Sequence, residues 1–200
     1  QCGIEGAYLL RANGAPAYAG VFSAWCDLRE ILPYAFGYML AAKVGTGIVA
    51  ELGAMRISDE IDALEVMGVP PVTFLCATRL LAAWIAFPFM YLVAIGIMYL
   101  ASYIAVVKQI GDASSGGYLL IFWQFQNPPD VIFSLIKGMV MATAIVLVGC
   151  YYGYTASGGP VGVGTATAKS MVLNIVLVHI IGMLGTLVFW GANPRAPIGG

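Results

Sequence analysis

Charge is the scarcest commodity in this 200-residue sequence: Asp, Glu, Lys and Arg together make up 10% of it, against about 25% in ordinary soluble domains. With 60% hydrophobic residues and a mean hydropathy of +0.89, such a chain is read as an integral membrane protein. Basic excess is missing too. A formal net charge of −1 leaves no electrostatic footprint for nucleic acid, which needs a basic patch or stripe. Metal-ligating residues are few: one His, and four Cys (Cys2, Cys26, Cys76, Cys150) without a CxxC spacing, so no metal site is implied. Cys76 and Cys150 fall in apolar stretches and read as packing residues, while Cys2 and Cys26 leave open a disulfide on one side of the membrane. A nucleotide loop is also lacking. The Gly-rich run SGGPVGVGTATAK (Ser157 to Lys169) has Val163 and Ala168 where a phosphate-binding loop ending at Lys169 requires glycine. No catalytic residues are assigned.

What charge there is collects in one place. Glu51 to Gly68, ELGAMRISDEIDALEVMG, holds five of the ten acidic side chains. Ile31 to Ala50 before it carries only Lys43, and the 28 residues from Leu80 to Val107 after it carry none. The island reads as a short helix outside the hydrocarbon, running from about Asp59 to Met67. Ser58 is a suitable N-cap, Asp59, Glu60 and Asp62 suit the positive end of the helix dipole, and Gly68 with Pro70 and Pro71 stops it. Ile57, Ile61, Leu64 and Met67 share one stripe, and Asp59, Asp62 and Glu65 another. Two readings follow: a solvated connector, or a docking helix presenting a greasy and an acidic face to a partner.

Around the island the spans read in order. Gly3 to Glu30, with Gly14, Pro16, Arg11, Asp27, Arg29 and Glu30, reads as an extramembrane connector. Ile31 to about Ala50 is the first complete span, where Gly37, Ala41 and Gly45 form a ridge of small residues for close helix packing. Lys43 in this span snorkels or faces a polar interior. Val72 to Val107 is too long for a straight crossing, its uncharged part alone being roughly 42 Å against about 30 Å of hydrocarbon. Pro88 is the expected kink and Arg79 the expected interfacial anchor. Lys108 to Asp130, with Tyr118, Phe122, Trp123 and Phe125, reads as interfacial or re-entrant. Val131 to about Tyr154 is the third span, with Lys137 and the GxxxG pair Gly149 and Gly153. Ser170 to about Trp190 is the last, and contains Asn174 and His179, the latter expected to be buried.

The run AELGAMRISDEIDALEVMG, the stretch DLREILPYAFGYMLAAKVGTGIVAELG (Asp27 to Gly53) and the later KG…GCYYGY…GG…GVGTAT block (Lys137 to Thr167) together resemble the MlaE/YrbE permeases, membrane subunits of ABC transporters that work with MCE proteins on lipids. The tail GANPRAPIGG is most similar to the B-type YrbE subunits of actinobacterial Mce systems. This resemblance implies an all-α integral membrane protein forming one permease domain over residues 1–200, with about four complete transmembrane helices here and five in an intact family member. Gln1 then falls near the end of the family's first span, so the interfacial helix and most of that span are expected to precede this sequence. It further implies a cytoplasmic coupling helix, with Glu51, Arg56, Ile57, Asp59, Ile61, Asp62, Leu64, Glu65 and Met67 as the ATPase-coupling residues. The implied partners are an ABC ATPase that binds ATP and Mg, a second YrbE-type permease, MCE proteins and a lipid, in the plasma (inner) membrane. Loop charges alone do not orient the chain; the resemblance puts Glu51 to Gly68 in the cytoplasm. The rival readings are an ion-coupled secondary transporter using Lys43, Lys137 and His179, and a structural membrane anchor.

Overall fold

The computed structural model describes residues 2–191, without the side chain of Cys2, so the Cys2 pairing and the tail beyond Gly191 lie outside the described residues. These residues form seven helices and no strand. They are α1 (Cys2–Ala12), α2 (Pro16–Ile57), α3 (Glu60–Val66), α4 (Pro71–Ile110), α5 (Ser115–Gln124), α6 (Pro128–Tyr154) and α7 (Gly159–Trp190). Four of them, α2, α4, α6 and α7, are long and apolar enough to cross a membrane. The chain is an all-α, multi-pass membrane protein.

Three boundaries differ from the sequence reading. The connector expected over Gly3 to Glu30 is mostly helix, because α2 begins at Pro16 and runs 42 residues. Its charges Asp27, Arg29 and Glu30 are tolerated because their partners come from distant parts of the chain: Ser102 donates to the Asp27 carboxylate, and the partners of Arg29 and Glu30 are described below. At Ser23–Ile31 and Ala41–Gly45 the helix widens to π geometry, which loosens the turn where side chains pack inward. The Gly-rich turn expected over Ser157 to Lys169 is confined to residues 155–158, with positive φ at Gly158 and Gly159, and the rest forms the first turns of α7. The aromatic connector contains α5, capped by Ser114, whose hydroxyl oxygen accepts from Gly117 N at 3.1 Å. Of its aromatic side chains only Trp123 is exposed; Tyr118, Phe122 and Phe125 are buried. Pro88 sits inside α4 without ending it.

The chain divides into two compact units, and each of the four long helices contributes a segment to both. One unit comprises the residues up to Ala35, Met90–Lys137 and those from Gly182 onward. Its core joins Ala7 of α1 and Ala19 and Ala24 of α2 to Val106 of α4 and Tyr118 and Phe122 of α5.

The other unit, Phe36–Phe89 with Gly138–Ile181, is built on the small residues. A Cβ at Gly45 would lie 2.9 Å from the Asn174 side chain and 3.1 Å from Ile145, and one at Gly37 3.1 Å from Val178. Ala41 between them is buried. Facing them, a Cβ on Gly149 would lie 3.2 Å from the Gly45 carbonyl and one on Gly153 2.7 Å from Leu52. The ridge on α2 and the GxxxG pair on α6 therefore bring backbone close to backbone. In lipid, where apolar burial between helices contributes little, this close van der Waals contact is the main attraction. Gly45→Leu is expected to lower stability by about 1–3 kcal/mol through overpacking. Gly47→Leu, two residues on with open space around it, should be neutral. Thermal unfolding of the two purified variants checks the contrast, and equal midpoints would refute it.

Candidate functional site

The acidic island folds as a helix hung between two spans. Ser58 does not cap its start as expected: its hydroxyl lies 3.0 Å from the Ala54 carbonyl, closing the end of α2, and 3.0 Å from Glu60 Oε1. The corner is made by Asp59, whose φ of 58° is left-handed, a conformation Asp adopts more readily than most residues. Glu60 and Asp62 occupy the first turn of α3, where the dipole favours negative charge. Gly68, at φ 77°, donates to the Glu65 carbonyl at 2.9 Å and Val69 to Leu64 at 3.1 Å. Such a close lets the chain reverse into Pro71, a first-turn position that proline suits.

The nine residues singled out for coupling separate into two groups. Ile61 is 0% exposed, on the helix that packs against the end of α2. Burial in a soluble setting makes such a side chain an anchor worth about 1.5–3 kcal/mol, holding α3 against the end of α2. Leu64 is half-buried beside it. Arg56 pairs with Asp62 at 2.6 Å and stands 5.8 Å over the Tyr154 ring. With both side chains well exposed the pair adds under about 1 kcal/mol, and it links the end of α2 to the first turn of α3. Glu51 pairs with Arg79 at 2.8 Å, and Arg79 also donates to the Leu75 carbonyl, so Arg79 ties α4 to α2. The outward set is Ile57, Asp59, Glu65 and Met67, the last 68% exposed. Val66 joins it at 89% exposure. Val66 lies off the stripe of Ile57, Ile61, Leu64 and Met67, and helical spacing alone does not mark it as exposed.

A second polar assembly occupies the other unit. The Lys137 ammonium, on a fully buried side chain, donates to the Arg29 carbonyl at 3.0 Å and to Thr186 Oγ1 at 2.7 Å, and lies 3.2 Å from Glu30 Oε2. Thr186 in turn donates to Glu30 Oε1 at 2.6 Å. Arg29 donates from Nη2 and Nε to Asp130 Oδ2 at 2.6 and 3.0 Å, and Trp190 Nε1 donates to Asp130 Oδ1 at 2.9 Å. The guanidinium is stacked 4.6 Å from the Trp25 ring. Gly185 packs closely beside this cluster: a Cβ there would come within 3.1 Å of the Lys137 stem. A cavity of about 440 Å³ lies beside the cluster, lined by Val21, Phe22, Trp25 and Trp190 together with Arg29, Glu30 and Thr186, and the surface it presents is mostly apolar. Arg29, Glu30 and Asp130 were read as connector charges, and nothing local reveals their pairing across some hundred residues.

The three residues of the ion-coupled reading divide between the two units. Lys137 belongs to this unit, and Lys43 and His179 to the other. His179 is exposed rather than buried, with Nε2 2.9 Å from the Tyr38 hydroxyl and Nδ1 2.8 Å from the Ile175 carbonyl. Lys43 is exposed as well.

Comparison with known proteins gives the family. A probable ABC transporter permease protein of Rickettsia prowazekii is 34% identical over 81% of this chain and 62% of its own length. Protein TRIGALACTOSYLDIACYLGLYCEROL 1, chloroplastic, of Arabidopsis thaliana is 30% identical over 82% of this chain and 47% of its own. A probable ABC transporter permease protein of Synechocystis is 27% identical over 84% of this chain and 64% of its own. The chain thus spans less than two thirds of the length of these relatives. The family described as Permease MlaE matches residues 1–188. With four membrane-crossing helices and that match over nearly its whole length, the chain belongs to the MlaE permease family.

Proposed function

We propose that this chain is the permease subunit of an ABC-type MCE lipid transporter in the plasma (inner) membrane. It couples ATP hydrolysis in a separate ATPase subunit to lipid movement, and it pairs with a second permease subunit. The observation that carries this reading is the construction of α3: anchored by Ile61 and linked to α2 by Arg56–Asp62, it leaves Val66, Met67 and two acids exposed. A helix built this way is suited to transmit force from a docked partner to α2 and α4. Nucleotide and Mg belong to the ATPase in this scheme, and the chain itself is not an enzyme. ATP binding closes the ATPases, α3 moves with them, and the spans rearrange to open a path for lipid. The lipid part of the proposal draws support from the Arabidopsis relative, whose name is that of a galactolipid, and from the mostly apolar lining of the cavity beside the Lys137 cluster; the MCE part follows the sequence resemblance alone.

Transport by the reconstituted complex tests this against ion coupling. His179→Gln removes the one side chain whose ordinary pKa, about 6.5, lies near neutrality, yet ATP-driven lipid transport should keep its rate and pH profile. Loss of transport in a folded, assembled His179→Gln complex, together with wild-type transport that collapses when the proton gradient is dissipated, would overturn the ATPase-driven reading. Lys137→Met is not a clean probe of the same question, because it strips Glu30 of its buried partner.

A further inference from the structure

Where α6 gives way to α7 there is a cavity of about 320 Å³ whose polar lining comes from Tyr151, Tyr152, Thr155, Ser157, Thr165 and Lys169. The two threonine hydroxyls are already committed, donating to the carbonyls of Tyr151 at 2.7 Å and Gly162 at 2.8 Å. The hydroxyls of Tyr151, Tyr152 and Ser157 and the Lys169 ammonium make no hydrogen bond among the described residues. Their free capacity includes four donor groups, one of them cationic, and no Asp or Glu lines the cavity. That inventory suits an anion with several oxygens. A nucleotide is disfavoured, since the run lacks the glycine spacing that cradles phosphates in a nucleotide loop.

A second cavity, of about 450 Å³, shares Tyr152 and Lys169 with the first and continues along Val172, Leu173 and Val176. Thr165, Lys169, Val172 and Val176 follow one another at helical spacing down one face of α7, over roughly 16 Å. Polarity is graded along that line: Thr165 and Lys169 come first, near the tyrosine and serine hydroxyls that line the same cavity, and Val172 and Val176 follow further along α7. We infer that this groove binds an anionic phospholipid, with its phosphate held by Lys169 and the tyrosine and serine hydroxyls and one acyl chain along Val172 and Val176. A free anion would account for the first cavity only, whereas the shared walls and the apolar continuation fit an amphiphile whose head lies at the membrane surface. Tyrosine at that level, and a lysine reaching up from a span, are the side chains such a position favours. This inference goes beyond the transport reading and does not depend on it, because the lipid here is a bilayer resident held on the outside of a helix.

The test is native mass spectrometry of the intact transporter complex, titrated with phosphatidylglycerol or with phosphatidylcholine of the same acyl chains. Wild type should retain phosphatidylglycerol about fivefold more than Lys169→Gln does, the effect of one lysine at an anionic surface. Lys169→Arg should restore the difference, and Lys108→Gln, at another exposed lysine, should leave it unchanged. Val176→Trp, which fills the groove, should reduce retention of both lipids. Lys169 is exposed, so its replacement leaves folding intact. Unchanged phosphatidylglycerol retention in Lys169→Gln would overturn the inference. So would complete displacement of the lipid by excess inorganic phosphate, which would mark a site for the free anion instead.

Discussion

Arg29→Met is expected to lower the stability of the purified protein by about 3–5 kcal/mol, the usual cost of removing one member of a buried ion pair. Asp130, with a side chain only 2% exposed, would keep Trp190 Nε1 as a donor but lose the guanidinium that neutralises it. The double variant Arg29→Met with Asp130→Leu should recover part of that loss, because it removes both charges at once, while the buried Trp190 Nε1 donor loses its acceptor. Thermal unfolding of the single and double variants measures this. A single variant as stable as wild type would mean that the Arg29–Asp130 pair is not formed in the protein. The neighbouring Lys137–Glu30–Thr186 set should respond separately, since Arg29 contributes to it through its backbone carbonyl, which the substitution leaves in place.

The second large effect distinguishes anchor from surface on α3. Val66→Asp combined with Met67→Asp should weaken binding of the ATPase by tenfold to a hundredfold, about 1.4–2.8 kcal/mol, as expected for central apolar contacts of an interface. Both side chains are well exposed, so stability should stay within about 0.5 kcal/mol of wild type. Ile61→Ala should do the reverse in its direct effect: it leaves a cavity under α3 and costs about 2–5 kcal/mol locally, loosening the helix without altering its outward face. Affinity measured by titrating the purified ATPase, with unfolding followed in parallel, separates the two. Equal loss of affinity without loss of stability in the Ile61 variant would show that Ile61 faces the partner after all.

How far the fold was legible depended on the range of the interactions that decide it. The spans after the acidic island could be read because length and hydropathy are local properties, and the stop of α3 at Gly68 because a left-handed glycine followed by prolines has few other uses. Gly45, Gly149 and Gly153 announced close packing, though not that α2 and α6 would meet through them. Misreadings came where a residue's partner is remote. Arg29 and Glu30 resemble loop charges until Asp130 and Lys137 stand beside them, and with them the start of α2 was placed at Ile31 instead of Pro16. Ser58 was a plausible N-cap by residue type, but its hydroxyl closes the helix before it. On α3 the helical period identified a greasy face correctly and could not say that Ile61 would be buried by its own chain while Val66, just off the stripe, would remain open. The lipid groove on α7 was hidden in a run read as a Gly-rich turn, since only the observed start at Gly159 puts Lys169 and Val176 on one helix face.

The central claim, that α3 is where an ATPase takes hold of this permease, is tested most directly by photo-crosslinking from single positions in the assembled complex. A photoreactive residue at Val66 or Met67 should yield an adduct with the ABC ATPase chain, and the same residue at Leu81, an exposed position on the α4 span, should yield none. If a complex that hydrolyses ATP gave no ATPase adduct from either Val66 or Met67, the coupling role assigned to α3 would be contradicted.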